Sequence, residues 1–207
     1  MDEVSEFLNA GARNIGARLR TFVAAFAQLV ETASDETELL GTGTTLLRGL
    51  ISEDDWLPEI YAQPDAKYYR QYLLHCDAFE RFSVVSFVWG PGQATPVHDH
   101  TVWGLVGVLR GTEKVERFSY DAVGVLQKDG PTVLLRAGEV DAVGPCAGDI
   151  HRVTNALDDA ISVSIHVYGC NIGAVERATY DEGGRTTRFI SGYSNTTLPN
   201  IWDRSTP

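Results

Sequence analysis

Cysteine is scarce in this chain: Cys76, Cys146 and Cys170 are its three, scattered along the sequence. That is too few for a disulfide framework, and without a C-x-x-C pair neither a zinc ribbon nor a thioredoxin-type site has support. Positive charge is in deficit as well. Lys and Arg number 17 against 28 Asp and Glu, a formal net charge of −11. A surface so acidic argues against nucleic acid or anionic membrane as partner, although one local arginine can still make a single pocket anion-binding. Long apolar runs are missing. Val23–Val30 is too short to span a bilayer, and the opening residues lack the basic and apolar regions of a secretory signal. The expectation is a cytoplasmic protein. No repeat of fixed period and no low-complexity segment is present.

What is there is ordinary globular material. A chain of 207 residues, 43% hydrophobic and 22% charged, makes one domain with a real core. Residues 1–60 read as mainly helical. Phe7, Leu8, Ile15, Leu19, Phe22, Phe26, Leu29 and Val30 recur every three to four positions, although Gly11 and Gly16 weaken an unbroken helix. Ser34-Asp35 and Thr37-Glu38 signal a second helix start, with Leu39, Leu40, Leu46, Leu47 and Leu50 as its apolar stripe. Glu53 to Pro58 reads as a loop or turn.

From Tyr68 the texture becomes β-branched and aromatic. Phe82–Trp89, Val102–Arg110, Lys114–Tyr120, Pro131–Arg136, His151–Thr154 and Ala160–Tyr168 form a series of short strands punctuated by glycine turns. Many short strands without long intervening helices indicate a mainly β, antiparallel barrel or jelly roll over 68–180. The tail, 183–207, reads as irregular, docked by Ile190 and Trp202.

Two histidines, His98 and His100, follow the turn that begins at Gly92 and enter an apolar run. On a strand, residues i and i+2 share a face, so both imidazoles can point inward with Asp99 facing away. A third, His151, opens another β-rich run after Gly148. Two imidazoles from one strand and one from a distant strand can cap a single metal ion. Ser164, His166 and Tyr168 are likewise spaced i, i+2, i+4 on one strand, putting hydroxyl, imidazole and phenol in a row. Such a row orients the phenol and tunes its proton. It is not a hydrolase triad, because nothing nearby forms an oxyanion hole. His75, outside any motif, reads as structural, and Cys170 as a buried inert thiol.

The spacing G-x5-H-x-H with Gly111 beyond, paired with Gly148-x2-His151-x3-Asn155, resembles the two motifs of the cupin superfamily. The position where many such barrels carry a glutamate ligand holds Gly104, or Leu105 with one residue's slack. With the relay strand included, residues 68 to 177 resemble the thiol dioxygenases, the cysteine-dioxygenase-like cupins. The resemblance implies a cupin jelly roll with the helical segment packed on it. It also implies Fe(II) held by His98, His100 and His151, with Ser164, His166 and Tyr168 as the outer relay. No cysteine lies near Gly104 to crosslink the tyrosine, so a free phenol is expected at Tyr168. Gln71, two residues after Tyr69, stands where the mammalian-type enzymes have an arginine. That is similar to the bacterial Gln-type group, which includes 3-mercaptopropionate dioxygenase, and implies Arg177 as the carboxylate grip. A register slip of one would instead turn Arg70 inward.

The implied reaction is oxidation of a small thiol-carboxylate by both atoms of O2 to a sulfinate, with 3-mercaptopropionate foremost. Cysteine, cysteamine and mercaptosuccinate are the alternative candidate substrates, and a monomer or small homo-oligomer the expected form. Two rival classes stand beside it: a metal-holding cupin sensor without catalysis, and a cupin isomerase or quercetinase-like dioxygenase.

Overall fold

The computed structural model describes residues 3–181 and 183–203, with side chains from Gly16 onward. Helix α1 runs Glu3–Thr32, passing through Gly11 and Gly16 without a break. The side chains of Phe7, Leu8 and Ile15, expected on its apolar stripe, lie outside the described residues. Helix α2, Glu36–Ile51, starts as its sequence requires: the Asp35 carboxylate caps the Glu38 N–H at 2.9 Å. Glu38 reaches back to accept from Ser34 N at 2.9 Å and Ser34 Oγ at 2.7 Å. Reciprocal caps of this kind satisfy backbone donors that a helix start leaves unpaired.

Among the described residues eleven strands follow: β1 Arg70–Cys76, β2 Ser83–Trp89, β3 Val97–His98, β4 Gly104–Arg110, β5 Thr112–Tyr120, β6 Leu126–Arg136, β7 Val140–Val143, β8 Ile150–Asn155, β9 Ser162–Tyr168, β10 Arg177–Tyr180 and β11 Thr186–Phe189. All pairings are antiparallel. They build a sheet of order β1-β2-β9-β4-β7 and another of order β11-β10-β3-β8-β5-β6. The fold is a cupin-type jelly roll with two N-terminal helices packed on it. Among the described residues no helix is long and apolar enough to cross a membrane.

Strands β2 and β9 are buried at every position because both faces are covered. Val163, Ile165 and Val167 join Leu19, Phe22, Phe26, Leu47 and Leu50 beneath the helices. The alternate residues of the same sheet, including Val85, Phe87, Trp89, Val106 and Tyr168, fill the barrel. The two-residue period of the strand therefore decides what faces the barrel: with the valines under the helices, Ser164, His166 and Tyr168 must point inward. Close approach of helix and sheet depends on Gly107, where a Cβ would stand 3.0 Å from Leu47 Cγ and 2.9 Å from Ile51 Cδ1.

Three expectations are corrected. The segment after Gly183 is not wholly irregular, since β11 pairs residue by residue with β10 from Arg177↔Phe189 to Tyr180↔Thr186. Ile190 and Trp202 do not dock the tail and are 61% and 55% exposed. Ile201 does: it is 3% exposed, its carbonyl accepts from Arg20 Nη1 at 2.6 Å, and its backbone abuts Gly16. Finally, His98 and His100 do not share a strand, because β3 ends at His98. Past it the Asp149 carboxylate accepts from His100 N at 2.8 Å and Thr101 N at 3.1 Å, and Thr101 takes a positive φ of 62°. A side chain has replaced the next strand's carbonyl as backbone partner, so the ladder stops.

Candidate metal centre and its cavity

His98 and His151 face each other as a cross-strand pair between β3 and β8, the closest arrangement a sheet offers two side chains. The bend beyond β3 brings His100 over both. Ring centroids of the three lie 4.7 to 5.0 Å apart, and one ligand nitrogen from each lies within 4.8 Å of the others. All three are buried.

A metal fits these residues on grounds internal to the site. His100 Nε2 and His151 Nδ1 are buried with no hydrogen-bond partner, a costly state for a polar atom unless something fills it. His100 Nδ1 lies 3.2 Å from the Asp149 carbonyl and 3.3 Å from its carboxylate, and His98 Nδ1 lies 3.1 Å from Pro96 O. Donation from Nδ1 leaves each Nε2 with its lone pair free, the form that binds a metal. Burial, then the neighbouring His100, holds His98 down to about 3, and burial lowers His151 well below its ordinary value. Both rings are thus neutral at physiological pH.

Tyr168 stacks on His100 with centroids 5.6 Å apart. Its Oη is 2.7 Å from His166 Nδ1, and His166 Nε2 is 2.8 Å from Ser164 Oγ. The row expected on one strand is therefore a continuous hydrogen-bonded chain. Burial raises the phenol well above its usual range and keeps His166 neutral. Gly104, at the position where many cupin barrels carry a glutamate ligand, lies against this ring: a Cβ there would be 2.8 Å from Tyr168 Cδ1 and 2.9 Å from Val143 Cγ2.

The cavity beside the histidines is lined by Tyr69, Gln71, Tyr168, Arg177, Phe189 and Ser191 among others. Arg177 is 4% exposed. Its Nη2 donates to Ser191 Oγ at 2.8 Å, its guanidinium lies 4.8 Å over the Phe189 ring, and its Nε has no partner. Arg70 turns the other way and pairs with Asp65 at 2.5 Å, its side chain 41% exposed. The alternative that places Arg70 in the cavity is thus not what the strand register gives. Gln71 borders the cavity with its amide donating to Gly192 O at 2.6 Å.

Asp99, facing away as expected, ties the histidine bend to β10. It accepts from Ala178 N at 2.8 Å and Tyr180 Oη at 2.7 Å. Asn155 closes the second motif structurally, its amide donating to Trp89 O, Gly90 O and Ala160 O. His75 packs on Phe82, 5.6 Å between centroids, on the helix side of the sheet. Cys170 has its thiol pushed up to about 11 by burial. Glu113 on β5 belongs to no motif in the sequence, yet it is fully buried with Oε1 3.0 Å from Ser162 Oγ.

A family model described as cysteine dioxygenase type I matches residues 14–182. Similar solved structures include TT1209 from Thermus thermophilus, 22% identical, covering 54% of this chain and 92% of that one with TM-score 0.42. Another is an uncharacterized conserved protein with a double-stranded β-helix domain from Klebsiella pneumoniae subsp. pneumoniae, 16% identical over 64% and 92% of the two chains, TM-score 0.43. A cupin 2 conserved barrel domain protein from Salinispora arenicola is 19% identical over 56% and 86%, TM-score 0.40.

Proposed function

Since the chain belongs to the cysteine dioxygenase type I family, thiol dioxygenases with non-haem iron, we propose that its substrate is a small thiol-carboxylate, 3-mercaptopropionate, oxidised to 3-sulfinopropionate. His98, His100 and His151 would hold ferrous iron. When bound, the iron supplies a Lewis acid and redox centre at which sulfur and dioxygen meet.

The buried guanidinium of Arg177 carries the substrate reading. A cation removed from water needs an anionic partner, and its unpartnered Nε beside an Nη2 already fixed by Ser191 presents a preset fork to a carboxylate. Phe189 beneath the guanidinium holds its plane. Among the described residues that line the cavity none is acidic, so the ammonium of cysteine would be stripped of water without a counter-charge and beside a cation. A thiol acid lacking the amine avoids both costs. Gln71, spent on Gly192 O, adds no second cation. Tyr168 lines the same cavity as Arg177, where its Oη can meet the reacting sulfur or the oxygen that joins it.

Loading with ferrous iron under anaerobic conditions, followed by oxygen uptake with 3-mercaptopropionate, cysteine, cysteamine and mercaptosuccinate, tests this. The expected result is the largest kcat/KM for 3-mercaptopropionate and one O2 consumed per sulfinate formed. A larger value for cysteine overturns the substrate assignment, and the absence of uptake with every thiol overturns the reaction.

A further inference from the structure

The hydrogen-bonded row from Tyr168 runs inward as far as Ser164. Beyond it, inside the barrel, lies the carboxyl of Glu113, fully buried. Its Oε1 lies 3.0 Å from Ser162 Oγ, whose one proton is shared with Arg110 O, also 3.0 Å away. Its Oε2 is buried with no hydrogen-bond partner, and the nearby Ser164 hydroxyl and Trp89 indole favour its ionised form. Trp89 Nε1 is in turn 3.3 Å from Ser164 Oγ. The Ser164 hydroxyl, with one proton to give, stands between an imidazole and a carboxyl.

We propose that Glu113 is the inner terminus of this chain and a positioning residue for Tyr168: by gaining or losing one proton it reverses every hydrogen bond between itself and the phenol. With Glu113 ionised, Ser164 donates to the carboxylate and accepts from His166 Nε2–H. His166 Nδ1 then accepts the phenol proton, and Tyr168 shows the cavity lone pairs only. With Glu113 neutral, its O–H donates to Ser164, Ser164 donates to His166 Nε2, and His166 Nδ1–H donates to Tyr168 Oη. The phenol proton is then free to donate into the cavity.

The two states differ by one proton, and the count balances. A proton arriving at Tyr168 Oη displaces the phenol proton to His166 Nδ1, the Nε2 proton to Ser164, and the Ser164 proton to Glu113. Oxidation of a thiol by both atoms of O2 gives a sulfinic acid, ionised at neutral pH, so each turnover leaves one proton in the cavity. The chain offers it a place inside the protein and turns Tyr168 from acceptor to donor as it moves.

The surroundings suit a group that changes charge near neutrality. Burial pushes the Glu113 carboxyl up to about 7, against the donors Ser164, Ser162 and Trp89. From β9 it is faced by Ser162, Ser164 and, beyond them, neutral His166. From β2 comes Trp89, from β8 Asn155 and from β6 Leu135, opposite it in register. The neighbouring Arg110 of β4 turns its guanidinium outward to Asp54 and Glu59. The three metal-binding imidazoles lie at the other end of the chain, past Tyr168.

The inference rests on Tyr168 facing the substrate, and its test separates the two. Infrared spectra of the metal-free protein, independent of any thiol chemistry, should show a protonated-carboxyl stretch that grows as pH falls through about 7 and is missing in Glu113→Gln. In the iron-loaded enzyme the pH profile of kcat/KM for 3-mercaptopropionate should have a rising limb at the same midpoint. That limb should flatten in Glu113→Gln and return, displaced, in Glu113→Asp, at unchanged iron content. No carboxyl band titrating near neutrality in the wild type overturns the proposal even where neither variant folds. An identical limb in Glu113→Gln overturns it too, whereas a normal band in a protein inactive toward thiols supports the titration and refutes only the substrate reading.

Discussion

Gly104 touches the ring of Tyr168, with space for a hydrogen but not for a methyl: an added Cβ would stand 2.8 Å from Cδ1. The glutamate ligand common in cupins and the inward phenol of this chain therefore compete for one volume. Gly104→Ala must push the phenol off His166 or open the β4–β9 pairing. Overpacking of this kind costs about 1–3 kcal/mol, so the Tm should fall by several degrees, with kcat falling more than KM. A variant with unchanged Tm and kcat would show that the ring has slack.

Arg177 should matter only for substrates that carry a carboxylate. Hydrogen bonds to charged groups contribute about 1.5–3 kcal/mol, so Arg177→Met should lower kcat/KM for 3-mercaptopropionate on the order of 10- to 100-fold. Cysteamine, which has no carboxylate, should be oxidised as well as before or better. Equal losses for both thiols would mean that Arg177 only supports the cavity wall.

Much of this site was readable without coordinates, and the reason is the period of a strand. Val163, Ile165 and Val167 alternate with Ser164, His166 and Tyr168, and burial of the first set under the helices fixes the second. Arg177 and Gln71 came from resemblance, and the structure puts both at the cavity. What escaped depends on breaks in periodicity. His100 reaches the cluster through a bend imposed by Asp149, not through a strand. Strands β3, β7, β10 and β11 are four residues or fewer, too short for alternation to show. Glu113 stands in Thr-Glu-Lys-Val-Glu-Arg, which reads as a solvated edge. The sole hint was Val115, two residues on and on the same face, and it is masked by Lys114 and Glu116 on the other face, where Glu116 pairs with Arg152 and Lys128.

Asp149 should control how tightly iron is held. Its carboxylate clasps two backbone amides of the bend and fixes the tautomer of His100, but its main-chain oxygen also lies 3.2 Å from His100 Nδ1. Loss of an outer partner to a metal-bound histidine typically weakens affinity about 10- to 100-fold. Because that carbonyl remains in Asp149→Ala, the expected loss is nearer 10-fold, read by competition with a ferrous chelator. Unaltered affinity would assign the tautomer to the main chain alone.

Glu113 also makes a prediction about stability whose sign can be worked out. Its carboxyl moves from an ordinary 4.5 in the unfolded chain to about 7 when buried. Between those values the native state keeps a proton that the unfolded chain has released, so folding stability falls as pH rises from about 4.5 to about 7 and levels off above. The full effect is on the order of 3 kcal/mol. His98, His151 and His166, held neutral by burial, act in the opposite sense, gaining stability as pH rises toward the ordinary imidazole value. The wild-type curve alone therefore mixes two slopes. Subtracting the urea-unfolding free energy of metal-free Glu113→Gln at each pH removes the histidine contribution, which both proteins share. The difference should favour the wild type at the acid end and decline steadily to neutrality. A difference that stays constant with pH would mean the buried carboxyl ionises as easily as one in water, and that the chain from Tyr168 ends at Ser164.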